Sequence, residues 1–161
     1  MAKKDGSAKD SSSDRVVARN RRARHEYNIL DEIECGIALV GSEVKSIRNG
    51  RINIEEAYAR IEKGEVFLYD VDISEYAQAS YLNHDRRRVR KLLLKKREVA
   101  KFAEKALQKG MTLIPLEVYF SRGFVKIKLA VAQGRKEYDK RDKIKKHADQ
   151  RMLRDAMRKR V

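Results

Sequence analysis

The amino-acid sequence predicts one mainly β domain in which short helices connect the strands. Its 161 residues suffice for a single hydrophobic core. Several runs alternate apolar and polar residues with a period of two, which is typical of strands that bury one face. Two pairs of such runs are separated only by short turn signals, at Lys63-Gly64 and Ser121-Arg122-Gly123, so we expect antiparallel hairpins.

The first strand is predicted over residues 27–39, where the odd positions are mostly apolar. Leu30 and Asp31 interrupt this alternation. We expect the strand to bend near Gly36, since an isolated glycine in a strand often marks an irregularity.

A short helix is predicted over residues 42–48, because the hydroxyl oxygen of Ser42 can cap its first turn. Asn49-Gly50 provides a turn where this helix ends. The next two strands are predicted over residues 57–62 and 65–73.

A longer helix is predicted over residues 96–109, with Gly110 as its stop signal. Its predicted apolar face consists of Val99, Ala103, Ala106 and Leu107. Residues 90–94 either extend this helix or form a short strand, since periodicity alone does not decide. The last two strands are predicted over residues 112–120 and 124–132.

The final strand alternates most clearly. Its predicted inward residues are Val125, Ile127, Leu129 and Val131, and its outward residues are Phe124, Lys126 and Lys128. Pro115, the only proline, belongs at a strand edge or a bulge because it lacks an N–H group.

Three strands, a helix and two strands therefore follow one another along the chain. With antiparallel hairpins, this order matches a closed or partly open barrel of the oligonucleotide/oligosaccharide-binding (OB) type, whose helix lies between strands three and four. The helix over residues 42–48 is an addition. A split α+β sheet is the alternative, and it would need a second long helix.

The two ends of the chain are predicted to lie outside this barrel domain, which covers residues 19–132. Residues 1–18 contain little that can be buried and are predicted to be a disordered arm. Residues 133–161 form a basic tail, predicted to be disordered when free and helical on a partner. Its apolar residues at helical spacing are Ile144, Ala148, Met152, Leu153, Ala156 and Met157.

The formal net charge is +15 at pH 7, and most of the excess lies at the two ends. Such a distribution favours a polyanionic partner, above all nucleic acid. An anionic membrane surface fits poorly, because no segment pairs a basic face with a large apolar one. No apolar run is long enough to cross a membrane, and the first residues lack the apolar region of a secretory signal. We therefore expect a soluble, cytoplasmic protein.

Residues that could carry catalysis or bind a metal are sparse. Cys35 is the only cysteine, and its position in an alternating strand predicts a small buried residue. His84-Asp85 could be a base with its orienting carboxylate, but a polar loop is the favoured interpretation. We expect neither enzymatic activity nor a bound metal or cofactor.

The densest basic cluster of the predicted domain runs from Arg86 to Lys91, and we expect it to contact RNA because arginine pairs with phosphates and stacks on bases. Glu34 is an acidic residue on the outward face of the first strand. It would repel phosphate, but it could accept a hydrogen bond from a base edge or a 2′-hydroxyl. A merely solvated glutamate is the alternative.

Five sequence blocks resemble the SmpB family, the SsrA-binding proteins of bacterial trans-translation. They are Asn20-Arg21-Arg22-Ala23-Arg24-His25-Glu26-Tyr27, Gly41-x-Glu43-Val44-Lys45-Ser46-x-Arg48-x-Gly50, Arg90-Lys91-Leu92-Leu93-Leu94, Gly110-x-Thr112-Leu113-Ile114-Pro115-Leu116 and Asp139-Lys140-Arg141. The resemblance runs from about residue 19 to about residue 146.

This resemblance implies an RNA-binding barrel that recognises the tRNA-like domain of transfer-messenger RNA (tmRNA, or SsrA RNA). Proteins of this family act with alanyl-tmRNA and GTP-bound elongation factor Tu on stalled ribosomes. Their tails enter the decoding centre and the mRNA channel of the 30S subunit within the 70S ribosome. We expect a monomer with no membrane partner. A stand-alone RNA-binding barrel or a ribosome-associated protein that acts on another structured RNA is the alternative.

The basic cluster and the resemblance together predict two sets of site residues. The predicted RNA-binding residues are Asn20, Arg21, Arg22, Glu34, Lys45, Arg48, Arg90, Lys91, Leu93 and Lys95. The predicted ribosome-binding residues of the tail are Lys136, Tyr138, Asp139, Lys140, Arg141, Lys143, Ile144, Lys145 and Met152. Lys95 and Tyr138 stand where the family usually has other side chains, His or Asn at the first position and often His at the second.

Overall fold

The computed structural model of the chain describes residues 14–135 and 137–158, without the side chains of residues 80, 137–140 and 143. The strands are β1 (Arg15–Arg19), β2 (Tyr27–Ile37), β3 (Ile52–Asn53), β4 (Tyr58–Glu62), β5 (Glu65–Tyr69), β6 (Asp72–Ile73), β7 (Arg90–Leu93), β8 (Met111–Ser121) and β9 (Phe124–Gly134). The helices are α1 (Arg21–Glu26), α2 (Gly41–Arg48), α3 (Lys96–Ala106) and α4 (Glu137–Arg158), with a 3₁₀ turn at Ala77–Leu82.

Six strands close into a barrel, which confirms the mainly β fold class. Their order around the ring is β4, β5, β7, β2, β9 and β8, and β8 returns to β4 through the pair of Leu113 and Ala59. All pairings are antiparallel. Residues 90–93, whose conformation the sequence left open, form strand β7. The barrel therefore has four strands before helix α3, one more than predicted.

Strand β1 corrects the predicted extent of the N-terminal arm. Residues 15–18, predicted to be disordered, pair with β8, where Arg15 lies opposite Phe120 and Arg19 opposite Glu117. Val17 and Ala18 pack against the core, and this burial offsets the cost of ordering them. Residues 1–13 of the predicted arm lie outside the described residues.

Two bulges shape the long strands. The register of β2 against β9 shifts between Ile29 and Asp31, so Leu30 is the extra residue and is exposed. This bulge explains the interrupted alternation, and it lies at Leu30 rather than near Gly36, where we predicted a bend. The register of β8 against β9 shifts just after Pro115, as expected for a proline in a paired strand.

Tight turns lie where the sequence predicts them. Lys63 and Gly64 both have positive φ, at 50° and 76°, and together join β4 to β5. Such a pair is typical of the two-residue turns that fit the twist of a hairpin. Asp70 also has a positive φ of 56° and ends β5, so the strand predicted over residues 65–73 is divided into β5 and β6.

Helix α2 is present, but Ser42 does not cap it. The helix begins at Gly41, and the backbone N–H of Val40 donates to Glu43 Oε2 at 2.9 Å. The Ser42 hydroxyl instead pairs with Nδ1 of His84 at 2.9 Å. The end of the helix at Asn49 and Gly50 is as predicted.

Helix α3 packs against the barrel with Val99 and Phe102, which join the main core. Lys105 on the same helix donates to Asp31 Oδ2 of β2 at 2.7 Å. Leu107 is 79% exposed, so the predicted apolar face wrongly included this residue and missed Phe102. The helix ends at Ala106, three residues before the predicted end.

The outer wall of the barrel has a second, smaller core. Ala23 of α1 packs there on Ile114, Leu116, Ala130 and Ala132 of β8 and β9. Helix α1 therefore covers one half of the outer face of these strands and leaves the other half open.

The tail differs from its prediction at its start. Strand β9 continues to Gly134, which pairs with Tyr27, and the N–H of Arg135 donates to the carbonyl of Glu26 at 2.9 Å. Gln133 and Gly134 thus belong to the barrel rather than to the tail. Beyond them, α4 spans Glu137–Arg158 and its described side chains are exposed. Disorder of the free tail stays a prediction.

A buried ion-pair network joins α2 to β7. The side chains of Glu43 and Arg90 are both fully buried, and Arg90 Nε donates to Glu43 Oε1 at 2.8 Å. Arg88 also donates to this carboxylate, at 2.6 Å and 2.8 Å. The remaining four N–H groups of Arg90 donate to backbone carbonyl oxygens of Val71, Asp85, Arg86 and Arg88.

The network keeps Glu43 ionised. Burial alone would raise the pKa of this carboxyl group, but the hydrogen bonds from Arg88 and the Val40 N–H, with the charge of Arg90, hold it below its ordinary value. Ionised Glu43 therefore stabilises the fold above the ordinary carboxyl range. This contribution is lost only as the pH falls through the lowered pKa.

We predict that Arg90→Ala strongly destabilises the fold. The substitution leaves the Glu43 carboxylate buried beside Arg88 alone and removes five donors, so we expect a loss of about 3–5 kcal/mol in the free energy of unfolding. Lys91→Ala is the matched control, because Lys91 pairs with Glu65 on the exposed surface and should cost at most about 1 kcal/mol. Urea unfolding measures both. Equal stability of the two variants would contradict the structural role of the network.

Candidate nucleic-acid interface

An outward-facing band of side chains crosses the part of the barrel that α1 leaves open. We call it the outer band, and its residues are Arg19, Glu34, Gly36, Lys91, Leu93, Glu117, Tyr119, Phe124, Lys126 and Lys128. Strand alternation places them outward, because their neighbours along β2, β7 and β9 are buried in the barrel.

The register brings these residues side by side across five strands, in the order β7, β2, β9, β8 and β1. Gly36 of β2 lies opposite Leu93 of β7 on one side and Lys126 of β9 on the other. Glu34 likewise lies opposite Lys128. With strands about 4.8 Å apart, the band measures about 14 Å along the wall from β7 to β8.

Glu34 is held by a residue from two strands away. The hydroxyl of Tyr119 on β8 donates to Glu34 Oε2 on β2, so the phenol side chain crosses β9, which lies between them. Tyr119 is 7% exposed. Burial, together with the hydrogen bond to Glu34 and its charge, raises the pKa of Tyr119, so the phenol stays a donor at neutral pH.

The band carries more cations than carboxylates. Arg19 and Lys128 both lie near Glu117, at 3.5 Å and 3.4 Å, and Lys91 pairs with Glu65 at 2.6 Å. Lys126 forms no ion pair with another residue in the described parts of the chain. An amine of this kind is available to a phosphate.

A shallow groove of about 330 Å³ lies at one end of the band, between Leu93 and Phe124. Leu93 is 52% exposed and Phe124 is 71% exposed. Gly36 lies between them, and a Cβ atom there would come within 3.3 Å of the Leu93 Cβ. Apolar and aromatic surface next to a cation is suited to an unstacked base.

Three predicted RNA-binding residues lie together on this band, namely Glu34, Lys91 and Leu93. Lys95 follows two residues after Leu93, at the start of α3, and is exposed. Its side chain makes no capping hydrogen bond, whereas its backbone N–H donates to Glu98 Oε2 at 2.9 Å. Lys95 is thus free to extend the band.

Four other predicted residues are exposed on helices outside the band. Arg21 and Arg22 lie on α1, where Arg22 pairs with Glu26 at 3.0 Å. Lys45 and Arg48 lie on α2. The amine of Lys45 is 5.5 Å from the ring centre of Tyr76, and the guanidinium of Arg48 is 5.9 Å from that of Phe120.

Two predicted contact residues are buried, which corrects their assignment. Arg90 has no exposed surface, because all its donors are used inside the protein. Asn20 is 5% exposed and links three elements. Its Oδ1 accepts from the Ala23 N–H at the start of α1, and its Nδ2 donates to the carbonyls of Ile54 and Pro115.

The basic cluster that includes Arg90 is also less available than predicted. Arg86 forms two hydrogen bonds of 2.9 Å with Asp72, Arg88 binds Glu43, and Arg87 lies 3.5 Å from Glu56. Composition revealed the positive charge of this segment but not the carboxylates that come to it from elsewhere in the chain.

Sequence reasoning missed Lys126, Lys128, Phe124 and Tyr119 as site residues. The first three were already predicted to face outward in the last strand, so alternation provided the signal that could have identified them. Nothing local indicated Tyr119, because its partner Glu34 lies 85 positions away.

Neither His84 nor Cys35 is positioned for catalysis. Both ring nitrogens of His84 are engaged, with Ser42 and with the carbonyl of Ile73. Cys35 is buried, as predicted, and burial raises the pKa of its thiol to about 12. Within residues 14–135 and 137–158, no group of His, Cys, Asp and Glu side chains could hold a metal ion. No helix in this described part is both long and apolar enough to cross a membrane.

The predicted tail residues divide into two groups. Arg141, Ile144, Lys145 and Met152 are exposed on α4. Lys136 lies outside the described residues, as do the side chains of Tyr138, Asp139, Lys140 and Lys143.

Comparison with known proteins finds relatives over most of the chain. The family model described as SmpB protein matches residues 17–159. An SsrA-binding protein of Syntrophobacter fumaroxidans is 51% identical over 146 residues, which are 91% of this chain and 90% of that protein. One of Geobacillus thermodenitrificans is 47% identical over 146 residues, or 91% and 94% of the two chains.

A solved structure also matches the fold. It is described as "tmRNA-SmpB: a journey to the center of the bacterial ribosome". Its chain is 49% identical in sequence, with a TM-score of 0.65, and the match covers 76% of this chain and 85% of that one.

We predict that Asn20 stabilises the folded barrel. Asn20→Ala removes a helix cap and the two hydrogen bonds that Nδ2 donates to the carbonyls of Ile54 and Pro115, so the free energy of unfolding should fall by about 2 kcal/mol. Asn20→Asp keeps the capping oxygen but supplies no donor, and it should also be destabilised. Asn28→Ala, an exposed position on β2, is the control and should change stability by less than about 0.5 kcal/mol. Denaturant unfolding that shows no loss for Asn20→Ala would contradict this role.

Proposed function

This chain belongs to the SmpB protein family, and we propose that it binds tmRNA through the outer band and delivers it to stalled ribosomes for trans-translation. It acts by binding and is not an enzyme. The RNA element bound by the barrel is the tRNA-like domain of tmRNA, and the tail binds the ribosome.

The observation that carries the proposal is the composition of the outer band. It brings together Lys126, a cation that has no ion-pair partner among the described residues, a fixed acceptor at Glu34 and an apolar groove beside Leu93. Folded RNA offers phosphates, hydrogen-bond donors on bases and riboses, and unstacked bases, which are the complements of these three features. A surface that only collected phosphates would have no use for Glu34.

The proposed partners follow from this assignment. They are tmRNA and the ribosome, with elongation factor Tu and GTP joining through the alanyl-tmRNA that the protein carries. The protein works as a monomer in the cytoplasm, where its ribosomal partner is found.

The tail has a separate role in this proposal. Helix α4 presents Ile144, Met152 and further apolar residues to solvent, between basic side chains. A helix with this surface can dock on ribosomal RNA and protein in the decoding centre and the mRNA channel. Because β9 ends at Gly134 and Arg135 bonds to Glu26, a protein truncated after Arg135 should retain the barrel.

We predict that Lys126→Ala and Lys128→Ala each weaken tmRNA binding and make it less dependent on salt. Each phosphate contact that is lost should reduce the slope of log affinity against log salt by about one. Lys109→Ala is the control, since Lys109 is exposed between α3 and β8, next to the end of β8 that is distant from the band residues Glu117 and Tyr119. Filter binding over a range of salt concentrations measures the slopes.

Two results would count against this prediction. Unchanged slopes in both band variants would remove the outer band from the interface. Equal affinity of the unmodified protein for tmRNA and for bulk tRNA would favour a general RNA-binding protein instead.

We predict that Ala148→Pro abolishes tagging of stalled nascent chains while tmRNA affinity is unchanged. Proline costs about 3 kcal/mol inside a helix, so α4 is broken without a change of charge. Ala148→Leu, which preserves both the helix and its apolar face, is the control and should support tagging. Normal tagging by the proline variant would show that the tail acts only as a flexible basic tether.

A further inference from the structure

We propose that Tyr119 is a positioning residue for RNA recognition, because its hydroxyl fixes the Glu34 carboxylate as an acceptor for a hydrogen-bond donor of the RNA. This inference rests on the proposed function. It adds Tyr119, a residue that the sequence did not indicate, and it explains how the Glu34 acceptor is held in place.

The geometry favours positioning over direct contact by Tyr119. Its side chain is almost wholly buried, so RNA reaches little of the ring. Its hydroxyl ends at Glu34, which is exposed. Because the bond spans from β8 to β2, it fixes a carboxylate relative to the lysines of the intervening strand β9.

The chemistry of the pair determines what it can receive. A carboxylate has about four acceptor sites and no donor when ionised. Tyr119 occupies one site on Oε2. The remaining acceptor sites need an N–H or O–H group from the RNA. A phosphate oxygen cannot provide one, whereas a ribose 2′-hydroxyl or a base N–H group can.

The surroundings make a carboxylate tolerable in an RNA interface. Lys128 lies directly opposite Glu34 in the strand register, and Lys126 flanks the path of the Tyr119 side chain. These cations offset the repulsion between Glu34 and nearby phosphates. A glutamate free to rotate would lose more freedom on binding than one already held, so removing the phenol hydroxyl should weaken the contact.

The test is a double-mutant cycle on binding to tmRNA. Tyr119→Phe removes only the hydroxyl and Glu34→Ala removes the acceptor. We expect each single variant to bind tmRNA about tenfold more weakly, and the double variant to bind no more weakly than Glu34→Ala alone. Circular dichroism and thermal unfolding establish that each variant is folded.

Tyr69→Phe is the matched control. Tyr69 donates to Glu62 at 2.7 Å on β5 and β4, so this variant removes the same kind of hydrogen bond away from the outer band. It should leave tmRNA affinity unchanged. Tyr119→Phe should also leave the salt dependence unchanged, because it removes no cation, and this separates it from Lys126→Ala.

Three results would overturn the inference: unchanged affinity in Tyr119→Phe, losses that simply add in the double variant, or an equal loss in Tyr69→Phe. In each case preferential binding of the unmodified protein to tmRNA would leave the proposed function standing. If the unmodified protein shows no such preference, the proposed function itself fails.

A second experiment identifies the RNA group that donates to Glu34. A tRNA-like domain probe is prepared with 2′-deoxy nucleotides in one segment at a time, and the effect of Glu34→Ala is measured on each. Loss of that effect in one segment assigns the donor to a ribose hydroxyl. Persistence of the effect in every segment assigns it to a base.

Discussion

The buried carboxylate of Glu43, placed between two arginines, is the interaction on which the basic side of the barrel depends. Arg90 uses its five N–H groups on this carboxylate and on the carbonyls of Val71 and of the loop before β7. The loop is thereby closed, and β7 begins at Arg90 in one defined register. Lys91 and Leu93 face outward as a result. A buried charge in a barrel wall thus sets which side chains of β7 lie on the candidate interface.

A second constraint divides the outer wall into two functional halves. Along β9, the outward positions change from Lys126 and Lys128 to Ala130 and Ala132. The small alanines allow α1 to pack closely over one half, where they are fully buried. The lysines stay in the open half. A single strand therefore provides part of a second core and part of the candidate interface, and the change of residue type marks the boundary between them.

The sequence predicts the strands well where alternation is uninterrupted, as in β9, and it predicts the helices and turns near their observed positions. Its failures at the two buried polar residues, Arg90 and Asn20, have a common physical origin. Charge indicates what a side chain costs to bury, but not whether a distant partner removes that cost. Arg90 and its partner Glu43 are 47 positions apart. A signal did exist, since assigning residues 90–94 to a strand places Arg90 on the same inward face as Leu92. The prediction that Asn20 lies on the RNA-binding surface failed for a similar reason, because its amide binds carbonyls that only the folded barrel brings together.

The stability of the tail has a different source from that of the barrel. Helix α4 has 22 residues, yet its described apolar side chains find no core, and Ile144, Met152, Leu153 and Met157 are each more than 60% exposed. Isolated helices are marginal because nucleation is costly, so packing must supply most of their stability. Fully burying one such side chain contributes about 1.5–3 kcal/mol. A partner surface that covers several of them, while its phosphates meet the surrounding lysines and arginines, would therefore favour the helix strongly. On the proposed function, the barrel would hold its binding surface ready, whereas the tail would gain most of its stability on the ribosome, and engagement of the ribosome would be the step that fixes the tail's structure.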